Sequence, residues 1–113
     1  MTNSYQKGLL GETLAAEYLE KKGYALVQTR FLTRYGEIDL IMKKGEQIIF
    51  VEVKYRPGQT KGQGVIAVNS QKQRKMLLAI NEYVMINGLE NTALRIDVVE
   101  ITKTGVWHIE NAF

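Results

Sequence analysis

The sequence predicts a small α/β domain, a mixed β-sheet flanked by helices in the order αβββαββ. Three observations predict it. Residues 4–22 and 70–87 carry apolar side chains at helical spacing. Between them lie two β-rich runs, Glu37–Met42 and Gln47–Lys54, joined by Lys43-Lys44-Gly45-Glu46, which is a hairpin signal. Finally, 113 residues at 45% hydrophobic content suffice for one core and are too few for two.

Each element follows from local chemistry. In the first helix Ser4 is the expected N-cap and Gly23 the stop, and Gly8, Gly11/Glu12, Ala15 and Leu19 form the inward stripe. A glycine inside a helix costs about 1 kcal/mol against alanine, so Gly8 and Gly11 imply close approach to another backbone or to a ligand. The alternative is that Gly8 precedes the helix, leaving Glu12 as a first-turn partner of the helix dipole. Tyr24–Arg30 reads as a strand, and Arg56–Val68, with Pro57, Gly58, Gly62 and Gly64, as a loop. The second helix is expected to start at Ser70, with Gln73 completing a capping box, and to bury Met76, Leu77, Ile80, Tyr83 and Val84 before Asn87-Gly88 ends it. Ala93–Ile101 and Val106–Glu110 are the last strands. Neither a repeat nor a linker divides residues 1–113, so a single domain is expected.

Composition excludes several classes. With no cysteine there is no disulfide framework, thiolate zinc site or cysteine nucleophile. One histidine, His108, argues against a His-rich metal site or a Ser-His-Asp triad. No apolar run approaches the roughly 20 residues of a membrane span, and the first residues do not resemble a signal peptide, so a cytoplasmic protein with no membrane partner is expected. Fifteen basic against twelve acidic residues leave a net charge of +3. The excess is concentrated: Lys54, Arg56, Lys61, Lys72, Arg74 and Lys75 fall between Glu52 and the next acid, Glu82. Such clustering suits a nucleic-acid partner without proving one.

The hairpin carries the chemistry. Side chains two apart in a strand share a face, so Glu52 and Lys54 point together. A two-residue turn at Lys44-Gly45 would set Lys43 against Glu46, Asp39 against Phe50 and Glu37 against Glu52. Asp39 and Glu52 would then be diagonal neighbours on one face, roughly 7–8 Å apart at the backbone. Two carboxylates converging on one point need a cation, and Mg²⁺ or Mn²⁺ suits an oxygen-only site open to phosphate. Lys54 adds a donor beside it, so the set is competent for phosphodiester hydrolysis. Alone, Glu-x-Lys on a strand is commonly a solvated surface pair worth under about 1 kcal/mol.

Gly8-x-x-Gly11-Glu12, Gly36-Glu37-Ile38-Asp39-Leu40-Ile41 and Phe50-Val51-Glu52-Val53-Lys54-x-Arg56 together resemble the YraN family, small bacterial proteins of the PD-(D/E)xK nuclease superfamily, similar in arrangement to archaeal Holliday junction resolvases. The likeness extends over nearly the whole chain, through Ala67-Val68, Lys72-Gln73 and Arg95-x-Asp97. It implies a restriction-endonuclease-like core and a metal-dependent endonuclease acting on DNA, with branched DNA as one substrate class. It further implies Asp39, Glu52 and the Val53 carbonyl as metal ligands, Lys54 as the catalytic cation, and Glu12 as an acid that binds metal or orients water. Gln71 or Lys72 would join the site from the following helix.

Other residues carry weaker expectations. Lys72, Arg74 and Lys75 sit in the first turns of the second helix, where the macrodipole disfavours cations, which suits phosphate contact; a solvated face is the plain alternative. Arg56 and Lys61 could close over a nucleic-acid backbone. Tyr35 and Tyr55 are candidates to line a substrate groove, and Asp97 to pair with Arg56 or Arg95. A two-fold substrate would call for a homodimer. The rival classes are a non-catalytic nucleic-acid-binding module and a structural protein whose acids are paired by Arg30, Arg34 or Arg95.

Overall fold

The computed structural model describes residues 3–59 and 69–113, with only the backbone of Ser4. Its elements are α1 (Ser4–Lys21), β1 (Ala25–Thr33), β2 (Gly36–Lys44), β3 (Gln47–Arg56), α2 (Ser70–Asn87), β4 (Leu94–Thr102) and β5 (Gly105–Ile109). The order is the expected αβββαββ. Five strands form one mixed sheet in chain order, antiparallel except for β3 beside β4. A parallel pair needs a crossover, and α2 supplies it. No helix among the described residues is long and apolar enough to cross a membrane.

The helices cover opposite faces. Ala15, Ala16 and Leu19 of α1 pack with Leu40, Met42, Ile49, Val51, Val99 and Ile101. Met76, Ala79, Ile80, Tyr83 and Val84 of α2 pack with Ile38, Ile41, Ile48, Phe50 and Ile96. Strand β3 is central and apolar on both faces, as a doubly covered strand must be. Leu77, expected in the inward stripe of α2, is 52% exposed; Ala79 takes the buried position instead.

Both N-caps lie one residue before the expected ones. Asn3 caps α1 and completes a reciprocal box with Gln6. Asn69 caps α2, its side chain accepting from the Lys72 N–H, so Ser70 is already helical. Asparagine and serine cap about equally well, which leaves adjacent pairs ambiguous in sequence.

The hairpin register differs from the expected one by two residues. Lys44 pairs with Gln47, Ile41 with Phe50 and Leu40 with Val51. The turn is therefore Gly45-Glu46, with Gly45 at φ +60° in the first central position. A turn at Lys44-Gly45 would have asked lysine to adopt positive φ, which costs a side chain more than it costs glycine. Glu52 and Lys54 share a side whatever the register, because both lie on β3 two residues apart.

Gly11 has the close approach that its place in a helix implies. A Cβ there would lie 2.6 Å from the Cβ of Tyr55, so α1 is pressed against β3. Tyr55 thus packs under α1 and does not line a groove. At Gly8 the nearest obstacle is the far end of Arg30, 3.1 Å away. Gly11→Ala is expected to destabilise by about 1–3 kcal/mol, because neither backbone can retreat. Gly8→Ala should be neutral or stabilising by up to about 1 kcal/mol, because Arg30 can shift and helix propensity improves. Urea denaturation of the two variants separates these outcomes.

Candidate metal centre

A break in strand alternation builds the site. Ile38 packs into the α2 layer and Leu40 into the α1 layer, although residues two apart in a regular strand share a face. Across the ladder the pairs Thr29–Leu40 and Phe31–Ile38 flank Arg30, whose φ is +50°. Asp39 lies at this switch. The β2–β3 ladder has its last pair at Leu40–Val51, and beyond it the Val53 N–H donates to Asp39 Oδ2 at 2.8 Å. A side chain has replaced the next rung. In an extended strand the Val53 carbonyl lies on the same edge as its N–H, facing the gap that Asp39 occupies.

Acids from both layers meet there. One carboxylate oxygen from each of Glu12, Glu37 and Asp39 lies within 4.8 Å of the others, close enough to hold one ion. Glu12 arrives from α1, Glu37 and Asp39 from β2. Glu52 comes from β3 and shares with Asp39 the wall of an open cavity of about 440 Å³. Tyr35, Glu37, Gln71, Lys72 and Lys75 also line it.

Cations are interleaved with these acids. Arg30 Nε donates to Glu12 Oε1 at 2.9 Å, and its Nη1 lies 3.7 Å from Glu37. Glu52 Oε1 is 3.2 Å from Lys54 Nζ and 2.6 Å from Lys72 Nζ. Burial pushes Asp39 up to about 8, with the Glu52 charge adding to it and the single Val53 hydrogen bond opposing it. Burial likewise raises Glu12 despite Arg30. Lys54 is lowered, again by burial first. For Lys72 burial opposes the charge, yet its contact with Glu52 prevails and the pKa is raised.

The expected residues divide accordingly. Glu12, Asp39, Glu52 and Lys54 come together, with the Val53 backbone beside them. Gln71, Lys72 and Lys75 reach the cavity from α2. Arg56 does not line the cavity and lies 3.8 Å from Glu100. Lys61 lies outside the described residues. Glu37 is absent from the expected site residues, whereas Arg30 is expected as a partner of the acids but not with its backbone conformation. Glu37 is visible in Glu37-Ile38-Asp39 as a period-two neighbour of Asp39. Arg30 sits within an unbroken strand pattern and carries no sign of a positive φ.

Asp97 belongs to a separate network. It accepts from Arg95 Nε and Nη2 at 2.8 Å each and from the Asn111 N–H at 3.0 Å, while His108 Nε2 lies 2.7 Å away. Lys22 Nζ, 2.8 Å from Nδ1, completes the surroundings of that ring. Burial alone would raise Asp97; the hydrogen bonds from His108, Arg95 and Asn111 overcome it and hold the pKa low. This network ties β4 to β5 on the α1 side of the sheet.

The family model described as "Uncharacterised protein family UPF0102" matches residues 11–101. The chain belongs to the UPF0102 family. This is the YraN family of the sequence resemblance. The UPF0102 protein of Alkaliphilus metalliredigens is 44% identical over 94% of this chain and 96% of its own length. That of Colwellia psychrerythraea is 42% identical over 99% of this chain and 92% of its own. That of Clostridioides difficile is 37% identical over 98% and 99%. The UPF0102 match therefore takes in every acid and lysine of the cluster, from Glu12 to Lys72.

Two aspartates with opposite shifts predict opposite mutant phenotypes. Asp39 holds its proton in the folded state well above the ordinary 3.8, so stability falls as pH rises from about 4 to about 8. Asp39→Asn should leave stability unchanged near pH 5 and raise it by about 1–2 kcal/mol near pH 9. Asp97 is depressed, so its contribution is present above the unfolded pKa and is lost as pH falls through the folded one. Asp97→Asn should cost about 3 kcal/mol near neutral pH by leaving Arg95 poorly paired. Urea melts of both variants at the two pH values check the signs.

Proposed function

We propose that this protein is a metal-dependent endonuclease that hydrolyses DNA phosphodiester bonds, with branched or structured DNA as its substrate class and Mg²⁺ or Mn²⁺ as its cofactor. The observation that carries this reading is the gathering of Glu12, Glu37 and Asp39 within 4.8 Å, beside Glu52 and Lys54, at an open cavity. The donor set suits a hard divalent cation, since it is made of carboxylate oxygens and holds no sulfur or imidazole. Asp39, pushed up to about 8 by burial and by Glu52, also supports it, because a nearby cation restores the charged form.

In this reading Asp39 and Glu52 would hold the metal with the Val53 carbonyl, and Glu12 and Glu37 would complete the acid set. When bound, the cation supplies polarisation of the phosphate and acidifies its water. Lys54 is half-buried and fixed against Glu52, so its ammonium is oriented before substrate arrives and can offset charge growing on the phosphate oxygens. Arg30 holds Glu12 and Glu37 in place. Gln71 and Lys75 at the rim contact backbone phosphates, which gives affinity without sequence readout. A two-fold substrate would be met by a homodimer, and a cytoplasmic location would suit DNA as the substrate.

A second reading, a nucleic-acid-binding module without catalysis, is favoured by one observation: Arg30 and Lys72 already neutralise Glu12 and Glu52 inside the protein. Incubation with supercoiled and four-way-branched DNA, with and without Mn²⁺, decides between them. Metal-dependent cleavage is expected, and Lys54→Ala should reduce it by about 10²–10³-fold, the scale of one lost charge-stabilising donor. Cleavage that persists in Asp39→Ala/Lys54→Ala rules out the assigned site. DNA binding with neither cleavage nor Mn²⁺ uptake establishes the binding module.

A further inference from the structure

Two ammonium groups share one oxygen in this cluster. Lys54 and Lys72 both approach Glu52 Oε1, at 3.2 and 2.6 Å, and like charges so placed repel. They are not equally free. Lys54 lies within the central strand, its side chain 14% exposed. Lys72 lies in the first turn of α2 with its side chain 46% exposed at the cavity mouth, where the positive end of the helix opposes its charge. Its backbone N–H is satisfied by Asn69, so the side chain can leave without disturbing the cap. Arg30 is held by more: Glu12, Glu37 and the Tyr5 ring at 5.0 Å.

We propose that Lys72 is the exchangeable counter-ion of the acid cluster, holding Glu52 until a divalent cation takes its place and then passing to a phosphate of the nucleic acid. This rests on the reading of the cavity as a metal centre. A cation arriving near Asp39 and Glu52 repels both ammonium groups, and the more exposed one, Lys72, yields at lower cost. Lys75 and Gln71, on the same helix and cavity wall, mark where a phosphate backbone would lie. The raised pKa of Lys72 agrees with a charge already committed to Glu52.

The test is an equilibrium one. Mn²⁺ binding is followed by electron paramagnetic resonance in the wild type, Lys72→Gln, Lys72→Arg and Asp39→Asn. Binding of a fluorescent four-way DNA junction is followed by anisotropy with and without Ca²⁺, which avoids turnover. Lys72→Gln should bind Mn²⁺ about fivefold more tightly, the scale of one partly exposed ion pair no longer to be broken. Lys72→Arg should bind like the wild type. Lys72→Gln should lose junction affinity with Ca²⁺ present and keep it with Ca²⁺ absent. Unchanged or weaker Mn²⁺ binding in Lys72→Gln, or equal loss of junction affinity in both conditions, overturns the exchange while leaving the metal centre intact. A folded wild type that takes up no Mn²⁺, or an Asp39→Asn variant that binds it as well as wild type, sinks the assigned centre itself and the exchange with it.

Discussion

Everything at this site depends on the parting of β2 from β3 at Asp39. A regular strand displays its side chains to one layer or the other, and acids on opposite layers are kept apart by the sheet. Here Ile38 serves the α2 layer, Leu40 the α1 layer, and Asp39 between them donates no side chain to either core. Its carboxylate fills the place of a ladder bond to Val53. Glu12 can then reach it from α1, and Glu52 shares its cavity wall on the α2 side. The switch requires Arg30 opposite to take φ +50°, a conformation that costs a non-glycine residue on the order of 1–3 kcal/mol. The same residue recovers part of that through its contacts with Glu12 and Glu37.

The contrast between Asp39 and Asp97 shows what separates a strained carboxylate from a structural one. Both are desolvated. Asp97 accepts from a bidentate arginine and a backbone N–H with His108 alongside, and these hold its pKa down. Asp39 receives one backbone N–H and faces Glu52, Glu12 and Glu37. Donor supply, not burial, decides the sign. A fold that provides three partners for one aspartate and one for the other keeps the second short of positive charge, which is the condition under which an external cation gains most.

Much of this was legible in sequence, and the failures have physical causes. Element order follows from periodicity and from Gly23, Gly45 and Gly88, each of which adopts positive φ where a turn or helix end requires it. Gly11 foretold the pressing of α1 onto β3. Glu52 and Lys54 share a side under any register, because they lie two apart on one strand, which is why that inference is independent of where the turn falls. Asp39 is legible as a neighbour of Glu52, but the break in alternation that puts Ile38 and Leu40 in different layers around it is not. The positive φ of Arg30 arises from the sheet around it, not from its neighbours in sequence. Asn3 and Asn69 were passed over because each adjoins a serine of equal capping ability. Leu77 differs again: a helix on a sheet needs only a limited inward arc, and Ala79 fits it with less volume.

Charge arrangement constrains how such a site can meet a polyanion. DNA brought toward Glu12, Glu37, Asp39 and Glu52 approaches like charge, and the lysines at the rim are partly spent on those acids. The formal excess of +3 is therefore a poor guide to the field at the cavity, where Glu37, Asp39 and Glu52 line the wall and Lys72 is already paired with Glu52. On the proposed function a divalent cation would change both terms together, offsetting the acids and freeing the Lys72 ammonium group. Linkage then requires reciprocity: by whatever factor the cation strengthens DNA binding, DNA strengthens cation binding. On the proposed function, metal uptake and substrate recognition are coupled through Lys72, because the ammonium group that would pass to the phosphate is the one that holds Glu52 in the cation's absence.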